Sequence, residues 1–140
     1  MGNEYEVSTD TTRFDRDRYH HWMSDLAYWA KGRARATSEA ACDASVLFGA
    51  YRVGGEMVGC ARVVTDGVTF AWLCDVFVEE AHRGRGLGKA LMDAVMSYPG
   101  MAEMKRFTLA TGDAHGLYRR YGFGPIGEPG RWMIRLGANL

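Results

Sequence analysis

Apolar positions along this chain switch period repeatedly, and each switch marks a predicted element. Tyr5 to Thr9 alternates and predicts a first strand. From Asp15 to Lys31 the spacing becomes helical. Tyr19, Trp22, Met23, Leu26 and Trp29 form one stripe, and Gly32 is the stop. A second short helix is predicted over Thr37–Ala44, with Thr37 or Ser38 as its cap. Val46–Arg52 and Met57–Thr65 read as strands joined by the turn Gly54-Gly55. Asp66-Gly67 turns the chain again into a strand over Thr69–Val78. A strand at Phe107–Ala110, a short helix around Tyr118 and a last strand at Trp132–Leu136 complete the order. Antiparallel strands followed by strand, helix, strand, helix and strand define an α+β fold on a mixed, mostly antiparallel sheet. With 140 residues and no linker or repeat, one domain over residues 1–140 is expected.

The segment Leu73–Val95 carries the strongest chemical signal. An apolar strand runs into Arg83-Gly84-Arg85-Gly86-Leu87-Gly88-Lys89, and a helix follows with Leu87, Leu91 and Val95 on one face. Glycines admit close approach of an anion to the backbone, and the free N–H groups of a helix start attract it. Arg83, Arg85 and Lys89 add positive charge. A pyrophosphate-bearing ligand fits this chemistry. A nucleotide-triphosphate loop would need a hydroxyl residue after Gly88-Lys89, where Ala90 stands. A dinucleotide fingerprint needs two residues before its third glycine, whereas these glycines fall at 84, 86 and 88.

Arg83, Gly86 and Gly88 match Arg/Gln-x-x-Gly-x-Gly/Ala directly after a strand. Downstream, Tyr118 is followed four residues later by Gly122-Phe123. In both stretches the chain resembles the GNAT superfamily, the acyl-CoA-dependent N-acetyltransferases, and the resemblance spans roughly residues 45–136. It implies a GNAT-like central sheet flanked by helices and splayed between the fourth and fifth strands. It also implies acetyl-CoA as co-substrate, with pyrophosphate on the backbone of Arg83, Gly84, Arg85, Gly86, Leu87, Gly88 and Lys89. The pantetheine arm would pair with the strand at Val76, Phe77 and Val78, as an added strand does. The family often has asparagine where Thr111 stands, in contact with pantetheine; threonine there is a departure.

Composition narrows the picture further. Seventeen basic and seventeen acidic residues cancel, which argues against a nucleic-acid partner. No apolar run reaches membrane length and no leader pattern opens the chain, so neither membrane nor export is expected. Cys42, Cys60 and Cys74 are scattered, as reduced thiols of a cytoplasmic protein are. His20, His21 and His82 lack metal-ligand spacing, and no metal is expected.

By resemblance, Tyr118 is the acid that protonates the departing CoA thiolate, with Tyr121 as its substitute. Asp75, inside an apolar strand, is either the base that takes the amine's proton or a structural acid bonded to backbone or to an arginine. The early helices wall the acceptor site in this family, so Trp22, Trp29 and Arg33 are candidate substrate residues, together with His115. The expected acceptor is a small-molecule or peptide amine, attacking the thioester directly in a ternary complex. A homodimer through an edge strand near the C-terminus is compatible with this order. The rival reading is a non-catalytic acyl-CoA sensor or partner-docking module on the same fold, for which an acid at Tyr118 has no use.

Overall fold

The computed structural model describes residues 4–137, so the expected domain limits at 1 and 140 lie outside the described residues. Five strands form one sheet in the order β1 (Tyr5–Ser8), β2 (Val46–Arg52), β3 (Met57–Thr65), β4 (Phe70–Val78) and β5 (Arg106–Thr108). The first four are antiparallel neighbours, and β5 runs parallel to β4. The helices are α1 (Arg16–His21), α2 (Arg35–Asp43), α3 (Leu87–Ser97) and α4 (His115–Arg119). This is the mixed α+β sheet that the sequence predicts.

Each face of the sheet has its own core. Along β2, Phe48 and Ala50 pack with Leu87, Leu91, Met92 and Val95 of α3, while Leu47 and Tyr51 pack with Tyr19, Trp22 and Met23. That division follows from the two-residue period of a strand. In β4 the period is broken. Ala71 and Leu73 face α3, yet Phe77 faces the opposite core. The break falls at Asp75, whose φ is +52°, and opposite it the pairing with β3 slips between Cys60 and Arg62. An extra residue in one strand produces this kink and inverts the side-chain faces beyond it.

The kink frees the second half of β4. Only Phe70, Ala71 and Trp72 pair with β5, and beyond Trp72 the two parallel strands diverge. The splay expected between the fourth and fifth strands is therefore present.

Several boundaries differ from the sequence reading. The helix expected over Asp15–Lys31 is α1 followed by a π-helical turn, Trp22–Leu26, and ends at Ala27. The wider turn keeps the adjacent Trp22 and Met23 both buried. Helix α2 begins at Arg35 after Ala34, so neither Thr37 nor Ser38 caps it. Ser38 is buried instead, within 2.7 Å of His20 Nδ1 on α1. Before α4, Thr111 Oγ1 accepts the N–H groups of Asp113 and Ala114 at 3.3 and 3.0 Å. No strand forms at Trp132–Leu136, which pairs with no neighbour among the described residues; these residues are exposed.

Leu91 is fully buried between α3 and the sheet. Leu91→Ala is expected to cost about 2–5 kcal/mol, measurable by urea unfolding with an unchanged denaturant slope.

Candidate active site

The divergence of β4 and β5 opens a wedge of about 370 Å³. Its floor is the second half of β4, and its far wall is Leu109–Thr111 with Leu117 and Tyr118 of α4. The backbone of β4 points alternately to its two sides. Glu79 N–H donates to Val58 of β3 at 2.9 Å, and a Cβ on Gly59 of β3 would stand 3.0 Å from Phe77 O. Phe77 therefore spends its backbone groups on β3, and those of Val76 and Val78 face the wedge. This corrects the expectation that Phe77 belongs to the open edge: its ring is buried on the α1 side, stacked on Trp22 at 5.4 Å.

At the end of that edge lies the glycine loop. Gly84 and Gly86 have φ of +77° and +80°, a region that costs other residues about 1–2 kcal/mol. Gly86 leads into α3, and the first bond of the helix runs from Ala90 N–H to Gly86 O. The N–H groups of Leu87, Gly88 and Lys89 therefore precede the first helical bond. Gly84, Gly86 and Gly88 line a recess of about 140 Å³ with Val78, His82 and Arg83. The three cationic side chains have partners of their own. Arg83 Nε donates to Val78 O at 2.8 Å, Arg85 lies 3.6 Å from Glu4, and Lys89 lies 3.1 Å from Asp93. Exposed pairs of the last two kinds are weak, so the loop offers an anion backbone donors first and movable cations second.

At the kink, Asp75 is almost fully buried and is met from three directions. Tyr19 Oη donates to Oδ2 at 2.6 Å and Trp29 Nε1 to Oδ1 at 2.8 Å. Arg33 Nη1 and Arg62 Nε donate to Oδ2 at 3.0 and 2.9 Å. Burial alone pushes the carboxyl up, but the bonds from Arg33 and Tyr19 and the nearby Arg62 and Arg33 charges outweigh it and hold it at about 2. Both oxygens are occupied, and so acidic a carboxyl is a weak base. The geometry matches the structural acid bonded to an arginine.

Tyr118 is buried on α4 and lines the wedge, and also lines a second cleft on its outer side. No hydrogen bond within the described residues engages its hydroxyl. Burial, with smaller contributions from Asp113 and Tyr28, raises the phenol to about 12. Tyr121 is held elsewhere, donating to Asp93 Oδ1 at 2.6 Å and lying 3.0 Å from Lys89 O. It is no substitute for Tyr118.

Of the predicted acceptor residues, Trp29 reaches the wedge, and Arg33 reaches its border through Asp75. Trp22 does not: it is a core residue whose Nε1 donates to Glu79 at 3.1 Å. His115 lines the outer cleft instead. Trp72 and Tyr28 were missed as wedge residues. Trp72 is half-exposed on β4, and Tyr28 lies edge-on to Trp29 at 5.0 Å and accepts Gly112 N–H at 3.1 Å. A signal for Trp72 lay in the sequence, because it alternates with the core residues Ala71 and Leu73. Among the described residues, no group of three or more His, Cys, Asp or Glu side chains is arranged to hold a metal. No helix is long and apolar enough to cross a membrane.

The splayed sheet, with a glycine loop and helix start at the end of its open edge, is that of an acyltransferase. The family model for the acetyltransferase (GNAT) domain matches residues 43–125. A protein of Gibberella zeae named as an acetyltransferase is 30% identical over 134 residues, spanning 82% of this chain and 76% of its own. A GNAT-family acetyltransferase structure from Xanthomonas campestris superposes with a TM-score of 0.92 at 47% identity, covering 97% of this chain and 95% of its own. A Staphylococcus aureus structure at 20% identity shares the fold, with a TM-score of 0.75 over 95% of this chain and 98% of its own. The chain belongs to the GNAT acetyltransferase family.

The Asp75 cluster makes stability depend on pH. The ordinary carboxyl value is 3.8 and the folded value about 2, so the contribution is complete above 3.8 and is lost as pH falls through about 2. Asp75→Asn is expected to cost about 3–5 kcal/mol near neutral pH, because two partly buried guanidiniums lose their counterion. The gap between wild type and variant should narrow by about 2 kcal/mol between pH 4 and pH 2, read from urea unfolding across that range.

Proposed function

We propose that this protein moves an acetyl group from acetyl-CoA to a primary amine by direct attack within a ternary complex. One observation carries the proposal: the open edge of β4, at Val76 and Val78, runs from the Asp75 kink to the glycine loop. A ligand with amides along one arm and a pyrophosphate at its end matches that row of groups in order. Val76 and Val78 pair with the amides. The N–H groups of the loop and of Leu87, Gly88 and Lys89 take the pyrophosphate. Arg83 covers Val78 O at the junction, so this carbonyl has a partner before any ligand arrives. Thr111 Oγ1 accepts two backbone N–H groups, which leaves its O–H free to donate toward the arm.

Bound acetyl-CoA supplies an activated thioester carbonyl. Past the kink, the N–H of Val76 holds the carbonyl oxygen as charge builds on it. The amine nitrogen bonds to the carbonyl carbon, the carbon–sulfur bond breaks, and Tyr118 gives its proton to the departing sulfur. The nitrogen sheds its proton to water. Burial keeps Tyr118 protonated well above neutral pH, as an acid must be. Asp75 is a positioning residue here: its ion pairs fix the kink that aims Val76. Trp29, Trp72 and Tyr28 give the acceptor an aromatic wall, which suits a small or peptide amine with an apolar body. Three free cysteines support work in a reducing compartment, the cytoplasm.

Tyr118→Phe is expected to lower kcat by roughly 10²–10⁴ while acetyl-CoA affinity stays within about twofold, measured by CoA release over an amine panel and by calorimetry. A wild type that binds acetyl-CoA but turns over no amine would favour the sensor reading. Gly86→Val, which adds a β-branched side chain at φ +80°, should abolish the thermal shift given by acetyl-CoA.

A further inference from the structure

We propose that the acceptor amine carries a second positive charge, which rests on the ring faces of Tyr28, Trp29 and Trp72 beside the carboxylate of Asp113. The inference rests on the acetyl-transfer reading of the wedge and names the class of amine it takes. Tyr28, Trp29 and Trp72 line the wedge and are 61%, 43% and 39% exposed. Large aromatic side chains left open on the wall of a cavity mark a place for a ligand. Two of them are held by their polar atoms. Trp29 Nε1 donates to Asp75 Oδ1 at 2.8 Å, and Tyr28 Oη accepts the Gly112 N–H at 3.1 Å. A Cβ on Gly112 would stand 2.8 Å from Tyr28 Oη, so this close approach needs the glycine. The wall is therefore set before any ligand arrives, and what it presents is ring face. A ring face takes either an alkyl chain or a cation.

Charge decides between the two. Among the described residues, the charged side chains that line the wedge are Asp75 and Asp113, with no lysine, arginine or histidine. Asp75 is occupied by its four donors. Asp113 is not: its backbone N–H goes to Thr111 Oγ1, and its carboxylate forms no ion pair among the described residues. It follows Gly112, the residue that holds Tyr28, and its charge helps to raise the Tyr118 phenol. The free carboxylate thus lies near both the aromatic wall and the proposed acid. A carboxylate-bearing acceptor finds no such partner, since Arg33 and Arg62 are turned to Asp75 and do not line the wedge. A diamine meets the site's chemistry in full. Both of its nitrogens are protonated at neutral pH, because an alkylammonium titrates at about 10. One must become neutral to attack the thioester; the other stays charged. Taking that charge out of water is costly, and ring faces with a carboxylate offset the cost.

The test is steady-state CoA release with 1,4-diaminobutane, butylamine and 4-aminobutanoate, acceptors of similar length that end in a cation, a methyl group and an anion. The expected kcat/KM is highest for the diamine, at least about tenfold above butylamine, with 4-aminobutanoate last. Asp113→Asn removes the charge and Trp72→Leu removes a ring face while keeping apolar cover. Each is expected to lower the ratio of diamine to butylamine at least about threefold, mostly through KM. Calorimetry with 1,4-diaminobutane alone gives a readout that needs no turnover. Butylamine or 4-aminobutanoate used as well as the diamine would overturn the inference and leave acetyl transfer standing, as would a ratio unmoved in both variants. Diamine binding that is lost in Asp113→Asn, with no amine acetylated, would support the cation site and sink the transfer reading. Neither binding nor acetylation of the diamine would sink both.

Discussion

Asp75 brings a negative charge into a strand that is otherwise apolar, and Tyr19, Trp29, Arg33 and Arg62 converge on it from three separate parts of the chain. A buried ion cluster of this kind contributes little net stability compared with apolar residues of the same volume. Its worth lies in position. The left-handed backbone at Asp75 is a conformation that a β-branched residue would strongly resist and that aspartate tolerates. The guanidiniums tie that conformation to β3 and to the segment after the π-helical turn. Remove the kink and Phe77 returns to the α3 face, β4 runs straight beside β5, and the wedge closes. The shape of the wedge thus depends on a carboxylate whose two oxygens are already bonded within the fold.

The surface proposed to bind the cofactor is built mostly from main chain. The groups of Val76 and Val78, the loop amides and the first N–H groups of α3 are supplied by geometry, with side chains in supporting roles. Such a surface tolerates wide change in sequence, provided the glycines and the kink persist. Side chains gather instead at the aromatic wall of Tyr28, Trp29 and Trp72, where the acceptor would be told apart from its competitors.

Much of this was legible in the sequence, for local reasons. Val46–Arg52 and Met57–Thr65 were readable to the residue because Gly54-Gly55 fixes the hairpin between them. The glycine loop announced itself because an anion site at a helix start is a property of adjacent residues. What escaped depends on distance along the chain. The partners of Asp75 stand 13, 42, 46 and 56 residues away, and no period connects them. Trp22 and Trp29 belong to one predicted stripe, yet the π-helical turn sends one into the core and the other to the wedge. Trp132–Leu136 has the composition of a strand, but composition carries no information about whether a free edge lies beside it.

Cys74 places a thiol on the wall of the wedge, one residue before the kink. If the cavity holds the proposed thioester, a nucleophilic sulfur there is a hazard, since a thiolate would capture the acyl group and hold it. Burial lifts the Cys74 thiol to about 11, so roughly one molecule in ten thousand carries the reactive form at neutral pH. The burial that raises this thiol would thereby keep the proposed enzyme from acylating itself.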